Sequence, residues 1–517
     1  MRIRRPALGT PFKGDLVAGI TVALVLVPQS LAYAQIAGTP PVHGLYTAVA
    51  ATLAAGLVGS SPYLQTGPVA LTSLLTFGAL APVVAVGTAE FAAHAAVLAL
   101  VVGVVRICLG LLRLGVLAYL MSQPVVTSFT AAAAILIVAS QLPALVDVST
   151  SSANPLVSAG LALSGPQRWD LLSLTVGVVA IALVLGGRRV SARFPGALLV
   201  TVLALGLSAA GWLSVTNVGA VPSGLPALEL GLPWNSLTSL LVPGAVIALV
   251  GFAEPASIAR KYAAEERHTW DPDKELVGQG LANVASGAFG GYPAGGSFSR
   301  SALNRDSGAR TRWSGVVTGL AVLCVLPFAS SLSLLPRAAL AGLVVTAVIS
   351  LLDPAPFQEI WCFSRPQFAI AAATFASTLA FAPRVERGLV VGVVLSLGMH
   401  LWRELVVNIE TWQDGDTLHV RPQGVLYFGS APALQTEVLS RIATHAEVNR
   451  VLIHLDRLGR LDLTGVLVLR SLLQELEAGG TRALVQGPPP QAQPLVDRIL
   501  SAHWMAPPLP WTGSGTG

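Results

Sequence analysis

The sequence predicts a polytopic α-helical membrane protein, built as two inverted repeats and followed by a small soluble α/β domain. Three observations carry this. Of 517 residues, 53% are hydrophobic and only 11% charged, and the mean hydropathy is +0.69, whereas soluble domains carry about 25% charged residues. Apolar runs of about 17 to 25 residues, long enough to cross a roughly 30 Å hydrocarbon core as helices, recur from Gly14 to about Asn408. About a dozen are clear and two are short or broken. Finally, an apolar segment and a glycine–proline spacing from the first half both return in the second.

The N-terminus MRIRRPALGT is basic, GITVALVLV follows as an apolar run, and Ala32-Tyr33-Ala34 before Gln35 imitates a signal-peptidase site. However, Ala23-Leu24-Val25-Leu26-Val27-Pro28-Gln29 reappears as Ala248-Leu249-Val250-Gly251-Phe252-Ala253-Glu254. An internal copy cannot be a cleaved leader, so the first copy is expected to be a retained span. Further on, Gly56-x-x-Gly59-x-x-Pro62 matches Gly287-x-x-Gly290-x-x-Pro293 at identical spacing, each time before an interrupted apolar run. Inverted repeats with Gly/Pro-broken segments at corresponding positions point to the binding site of a secondary transporter.

Basic residues give the orientation. With seven spans in each half, Arg2, Arg4, Arg5, Lys13, Arg188, Arg189, Arg193, Arg260, Lys261, Arg267, Lys274, Arg305, Arg310 and Arg312 fall on one side, against Arg168, Arg337, Arg384 and Arg387 on the other. The rich side is expected to be cytoplasmic, with both termini, in a bacterial-type inner (plasma) membrane. An odd number of spans per half inverts the second half. The membrane part is expected at residues 1–412, with repeats at about 13–213 and 238–408.

From residue 413 the pattern changes. Thr417 to Arg421 alternates like a strand, Val451 to Leu455 is a short buried-strand run, and Gly465 to Leu476 has helical spacing before Ala483-Leu484-Val485. This predicts a cytoplasmic α/β domain at 413–506, and a disordered tail at 507–517, where Pro507, Pro508 and Pro510 precede a Gly/Ser ending. The cysteines Cys108, Cys324 and Cys362 are scattered in apolar surroundings, which implies neither a disulfide framework nor a zinc site.

VPQSLAYAQIAGTPPVHGLYTA at 27–48, QTGPVALTSLL at 65–75 and GSFSRSALNRDSGARTRWSG at 296–315 resemble the sulfate permease family, also called solute carrier family 26. The C-terminal domain is similar to the sulfate transporter and anti-sigma factor antagonist (STAS) domain. The resemblance implies fourteen transmembrane segments in a seven-plus-seven inverted repeat with core and gate domains, usually as a homodimer. It also implies transport of anions such as sulfate, chloride, bicarbonate, oxalate and dicarboxylates. Two positions depart from the family pattern. His43 stands where an aromatic is common, and Leu463 stands where a hydroxyl residue often carries phosphorylation control.

An anion entering the membrane needs its hydration replaced by donors. A helix that starts in mid-membrane offers N–H groups without intrahelical partners and about half a positive charge. Matching Pro293 with Pro62 places Ser299 and Arg300 opposite Pro68 and Val69. Each half is therefore expected to contribute a short strand and a half-helix, at 62–86 and 293–304, with the two N-termini facing one another. The expected substrate contacts are Gln29, Gly67, Pro68, Val69, Ser297, Phe298, Ser299 and Arg300. Pro68 suits a first helical turn, and an arginine costs roughly 2.5 to 3.5 kcal/mol or more at a helix centre and is seldom kept there without a role. Glu254, beside Pro255 and opposite Gln29 in the repeat, is the expected coupling group, able to carry a proton with the anion.

The function expected is secondary active transport of a small inorganic or organic anion across the lipid bilayer. Coupling would be to a proton, with sodium as the alternative, and no enzyme activity, cofactor or metal is expected. An anion channel or exchanger of the same fold is a rival, as is a nucleobase permease, which would favour carboxylates in both broken segments. The basic loops act as topology determinants and imply no nucleic-acid partner.

Overall fold

The computed structural model describes residues 12–116, 122–150, 152–191, 194–229, 231–267, 269–405, 408–427, 429–444 and 448–506. The expected tail at 507–517 lies outside the described residues, as do Arg2, Arg4, Arg5 and Arg193. Two compact units are present, Met1–Ser396 and Leu397–Gly517.

The first unit runs through α1 (Lys13–Ala37), α2 (Val42–Val58), β1 (Thr66–Gly67), α3 (Ala70–Leu80), α4 (Ala89–Leu111), α5 (Gln123–Leu145), α6 (Pro155–Leu163), α7 (Leu171–Val190) and α8 (Gly196–Ala209). It then repeats the plan with α9 (Leu237–Glu265), α10 (Pro272–Ala288), β2 (Gly295–Gly296), α11 (Phe298–Asp306), α12 (Trp313–Val325), α13 (Arg337–Val348), α14 (Ala355–Phe363), α15 (Arg365–Ala380) and α16 (Val385–Leu405), the last of which runs past the unit boundary at Ser396. Each half thus holds seven segments, the third of them a strand and half-helix, with a short extra helix (α6, α14) between the fifth and sixth. Among the described residues, seven helical stretches are long and apolar enough to cross a membrane by length and composition, and the other segments are shorter or broken.

The helices sort into two packed groups. In one, α1 packs on α2 and α12, and α10 packs on α2 and α4. In the other, α5 packs on α13 and α15, and α13 packs on α7. Close approach rests on glycines: a Cβ on Gly56 would sit 2.7 Å from the Val316 nitrogen, and one on Gly103 would sit 2.7 Å from the Gly280 oxygen. Small residues that let backbones touch are what helix packing in lipid requires. The outward faces remain apolar, with Val178, Val179, Val202, Leu203, Val394 and Leu395 all exposed. Apolar side chains exposed in such number suit contact with acyl chains.

The second unit contains β3 (Asn408–Asp414), β4 (Thr417–Leu426), α17 (Ala431–Thr444), β5 (Arg450–His454), β6 (Leu458–Leu461), α18 (Leu463–Ala478), β7 (Arg482–Gln486) and α19 (Gln493–Ile499). The sheet order is β3-β4-β5-β7, with β6 pairing β4 and only the β3–β4 pair antiparallel. The alternating stretch at 417–421 lies in β4, the run at 451–455 falls on β5 except for Leu455 just past its end, and 483–485 falls on β7. Val451, Ile453, Leu469, Leu473 and Val485 form its buried core. Asp462 starts α18 by accepting the Gly465 N–H at 2.7 Å, a cap that satisfies one free donor of the first turn.

Candidate functional site

β1 and β2 pair antiparallel, Thr66 with Gly296 and Gly67 with Gly295, and the Ser297 N–H donates to the Gln65 oxygen at 3.1 Å. Each strand leads straight into a short helix, so antiparallel pairing turns the N-termini of α3 and α11 toward one another. Two corrections to the expected alignment follow. The helices span Ala70–Leu80 and Phe298–Asp306, so Pro68 precedes the cap residue Val69 instead of entering the first turn. In addition, the connection from Pro62 to α3 is longer than that from Pro293 to α11. Ser297 therefore corresponds to Val69, and Arg300 to Thr72, instead of Ser299 to Pro68 and Arg300 to Val69.

The two helix starts carry different chemistry. Val69 caps α3 with no side-chain hydrogen bond. Ser297 caps α11: its Oγ accepts the Arg300 N–H at 3.4 Å and lies 3.3 Å from the Ser299 Oγ. Glu254, on α9, accepts the Phe298 N–H through Oε1 at 3.2 Å. A carboxylate thus occupies a first-turn donor that an anion would otherwise use.

Arg300 extends from the first turn of α11 and is 1% exposed. Its Nη1 donates to Gln29 Oε1 at 3.2 Å, while Nε and Nη2 have no hydrogen-bond partner among the described residues. Nη2 lies 3.6 Å from where a Cβ of Gly67 would stand. The guanidinium therefore runs behind the strand pair. Ser30, next to Gln29, instead donates back to the Leu26 oxygen at 2.6 Å, so of these two polar residues near Pro28 only Gln29 reaches the site.

A cavity of about 530 Å³ opens in front of the helix starts. Val69, Glu254, Ser297, Phe298 and Ser299 line it, whereas Gln29, Gly67, Pro68 and Arg300 do not. The opposite wall comes from the second helix group, including Val126, Phe129 and Thr130 of α5 and Val348 at the end of α13. The lining also takes in Gln123, at the start of α5, and Arg260, near the end of α9. By the alternating direction of the helices these stand on the side where α1 begins. A second cavity, about 920 Å³, lies on the other side among Gln35, Asp147, Thr150 and Arg337.

Sequence reasoning missed two residues here. Tyr33 lines the cavity; it is one turn beyond Gln29 on α1, a spacing that places both on one helix face. Arg106 is fully buried within α4. Its signal was available, since it interrupts the apolar run 98–111 just as Arg300 interrupts its own.

Comparison with known proteins gives a concordant result. The model of the sulfate permease family matches residues 12–374, and that of the STAS domain matches residues 408–503. Sulfate transporter 4.1, chloroplastic, of Arabidopsis thaliana is 31% identical, over 92% of this chain and 75% of its own. A probable sulfate transporter of Mycobacterium tuberculosis is 36% identical, over 74% of this chain and 69% of its own. Among solved structures, the murine Solute Carrier 26 family member A9 anion transporter in the inward-facing state has a TM-score of 0.88, at 19% identity over 96% of this chain and 88% of that one. At that identity the likeness concerns the fold alone. The transmembrane domain of the cyanobacterium bicarbonate transporter BicA has a TM-score of 0.63, at 25% identity over 75% of this chain and 97% of that one.

Proposed function

The chain belongs to the sulfate permease family, and from that premise we propose that it is a secondary active transporter of small anions, of the sulfate, dicarboxylate or bicarbonate class. The observation that carries this is the pair of facing helix N-termini over one cavity, with the Arg300 charge held behind them and two of its nitrogens unpartnered among the described residues. Sulfate is the anion in the names of the plant and mycobacterial relatives, and bicarbonate in that of the cyanobacterial transporter.

The anion sits against the Ser297 and Ser299 hydroxyls, the Ser299 N–H and the first-turn N–H groups that follow Val69. Arg300 contributes fixed charge from behind the strands, and Gln29 orients it. First-turn N–H groups and the macrodipole replace lost hydration without bringing a mobile cation into the membrane. Glu254 couples transport to protons: ionised, it holds the Phe298 N–H and repels the anion, and protonated, it no longer repels the anion and holds that N–H more weakly. Anion and proton therefore favour each other's binding. The lining drawn from both helix groups suits alternating access, in which the group bearing the half-helices moves against the other and exposes the site toward one cavity and then the other.

The proposed setting is the inner membrane, as a homodimer, with both termini cytoplasmic. A nucleobase permease is disfavoured because neither half-helix start carries a carboxylate of its own: α3 begins with apolar residues and α11 with the cation Arg300. Purified protein in liposomes tests the proposal, with sulfate, bicarbonate and succinate supplied with and without an inward proton gradient. Saturable, gradient-coupled accumulation is expected. Unsaturable electrodiffusion would make the protein a channel, and dependence on a counter-anion alone would make it an exchanger.

A further inference from the structure

Arg106 takes no part in the proposed anion contacts, yet its geometry is specific. It is 0% exposed and no carboxylate pairs with it among the described residues. Its donors end on main-chain oxygens: Nε on Ala248 at 3.0 Å, Nη1 on Ala294 at 3.2 Å and Nη2 on Ile247 at 3.4 Å. Ile247 and Ala248 belong to α9, where helical bonding already uses the carbonyls. Ala294 is different, because it lies outside any helix and immediately precedes β2. The same residue is gripped from α10, where Asn283 accepts the Ala294 N–H at 2.9 Å and donates to its oxygen at 3.2 Å. Room for the guanidinium comes from Gly251, where a Cβ would stand 2.6 Å from Nη2. From Ala294 the chain passes Gly295, whose added Cβ would meet Val69 Cγ2 at 3.0 Å, and reaches the Ser297 cap two residues later.

We propose that Arg106 is a positioning residue of the anion site. By holding the Ala294 carbonyl it fixes the direction in which Gly295, Gly296 and Ser297 lead into α11, and so where the N–H groups of its first turn point. A role as simple glue between α4 and α9 would need only the two helical carbonyls; the third bond ties that contact to the strand entering the site. The inference rests on the anion reading of the site, but its structural half can be tested without transport.

The test uses the full chain in nanodiscs and liposomes, with sulfate as the probe. For Arg106→Met, hydrogen exchange across residues 292–300 is expected to speed up while α4 and α9 stay protected. The sulfate KM is expected to rise about tenfold with the maximal rate within about twofold, and Arg106→Lys to recover part of the loss. If Arg106→Met does not fold, Gly251→Ala carries the same readouts, because its methyl displaces the guanidinium while the charge remains. Unchanged exchange at 292–300 in a folded variant, or a general loss of protection in α4 and α9, overturns the proposal. If the wild-type protein takes up no sulfate, the transport reading falls for that anion, and the exchange result still decides the role of Arg106.

Discussion

The two half-helices share one backbone plan and divide the chemistry unequally. α3 begins at an apolar cap, with Pro68 and Gly67 before it, and presents little beyond its dipole. α11 begins with a hydroxyl cap, a neighbouring carboxylate and a buried arginine. The difference shows that a repeat can preserve a frame while only one copy acquires charge. One arginine behind a shared pair of strands serves both helix ends, whereas a second in the same space would repel it and would cost roughly 2.5 to 3.5 kcal/mol or more to bury.

The largest effect expected from breaking this asymmetry is at Arg300. Arg300→Ala removes the fixed charge, and at an effective dielectric of about 20 a nearby unit charge contributes about 2 kcal/mol, so anion affinity is expected to fall about tenfold or more. Isothermal titration of folded variant with sulfate measures this. Normal affinity would assign Arg300 to structure and leave the two ends functionally alike.

Glu254→Gln addresses the carboxylate that only α11 meets. Its amide oxygen can still accept the Phe298 N–H but can no longer exchange a proton. Anion exchange is expected to survive, with pH-driven accumulation lost. Vesicles of the variant that still concentrate anion under an inward proton gradient would move coupling to another group or to sodium.

The strand glycines should also respond unequally. An added Cβ at Gly296 would meet Leu64 Cδ1 at 2.8 Å and the Pro255 Cα at 3.2 Å, whereas one at Gly67 meets nothing closer than Thr52 Oγ1 at 3.3 Å. Gly296→Ala is expected to cost about 1 to 3 kcal/mol by overpacking and Gly67→Ala less, read as thermal unfolding in detergent. Equal shifts would mean that the strands relax together.

The smallest change expected is for Ser297→Ala, which strips the side-chain cap from α11 and leaves it like α3. About 1 kcal/mol of stability is at stake, together with a modest fall in anion affinity. An unchanged melting temperature would show that Glu254 already satisfies that helix start.

Much of the frame was legible in the residues. The glycine–proline spacing located both broken segments, and alternation at Thr417 to Arg421 located a strand, because each is a local pattern that the backbone must obey. The direction of Arg300 was not legible. Its position on α11 is local, but whether its long side chain turns to the cavity or behind the strands depends on where Gln29 and Gly67 of the other half lie. The misalignment of Ser299 with Pro68 has a similar origin, since the loops after Pro62 and Pro293 differ in length while the strands still pair.

By itself, then, the sequence determined that this chain lives in a membrane, that it is doubled, and that each half breaks its third segment. Composition, run length and spacing are enough for these conclusions, because lipid forces every backbone polar group to be satisfied locally unless it lines a site. Tertiary structure alone decided which side chains share the cavity, that Tyr33 joins them, and that Arg106 grips the strand from a distant helix. Those outcomes depend on contacts between residues more than 180 positions apart, such as Arg106 with Ala294, and no local period encodes such a meeting.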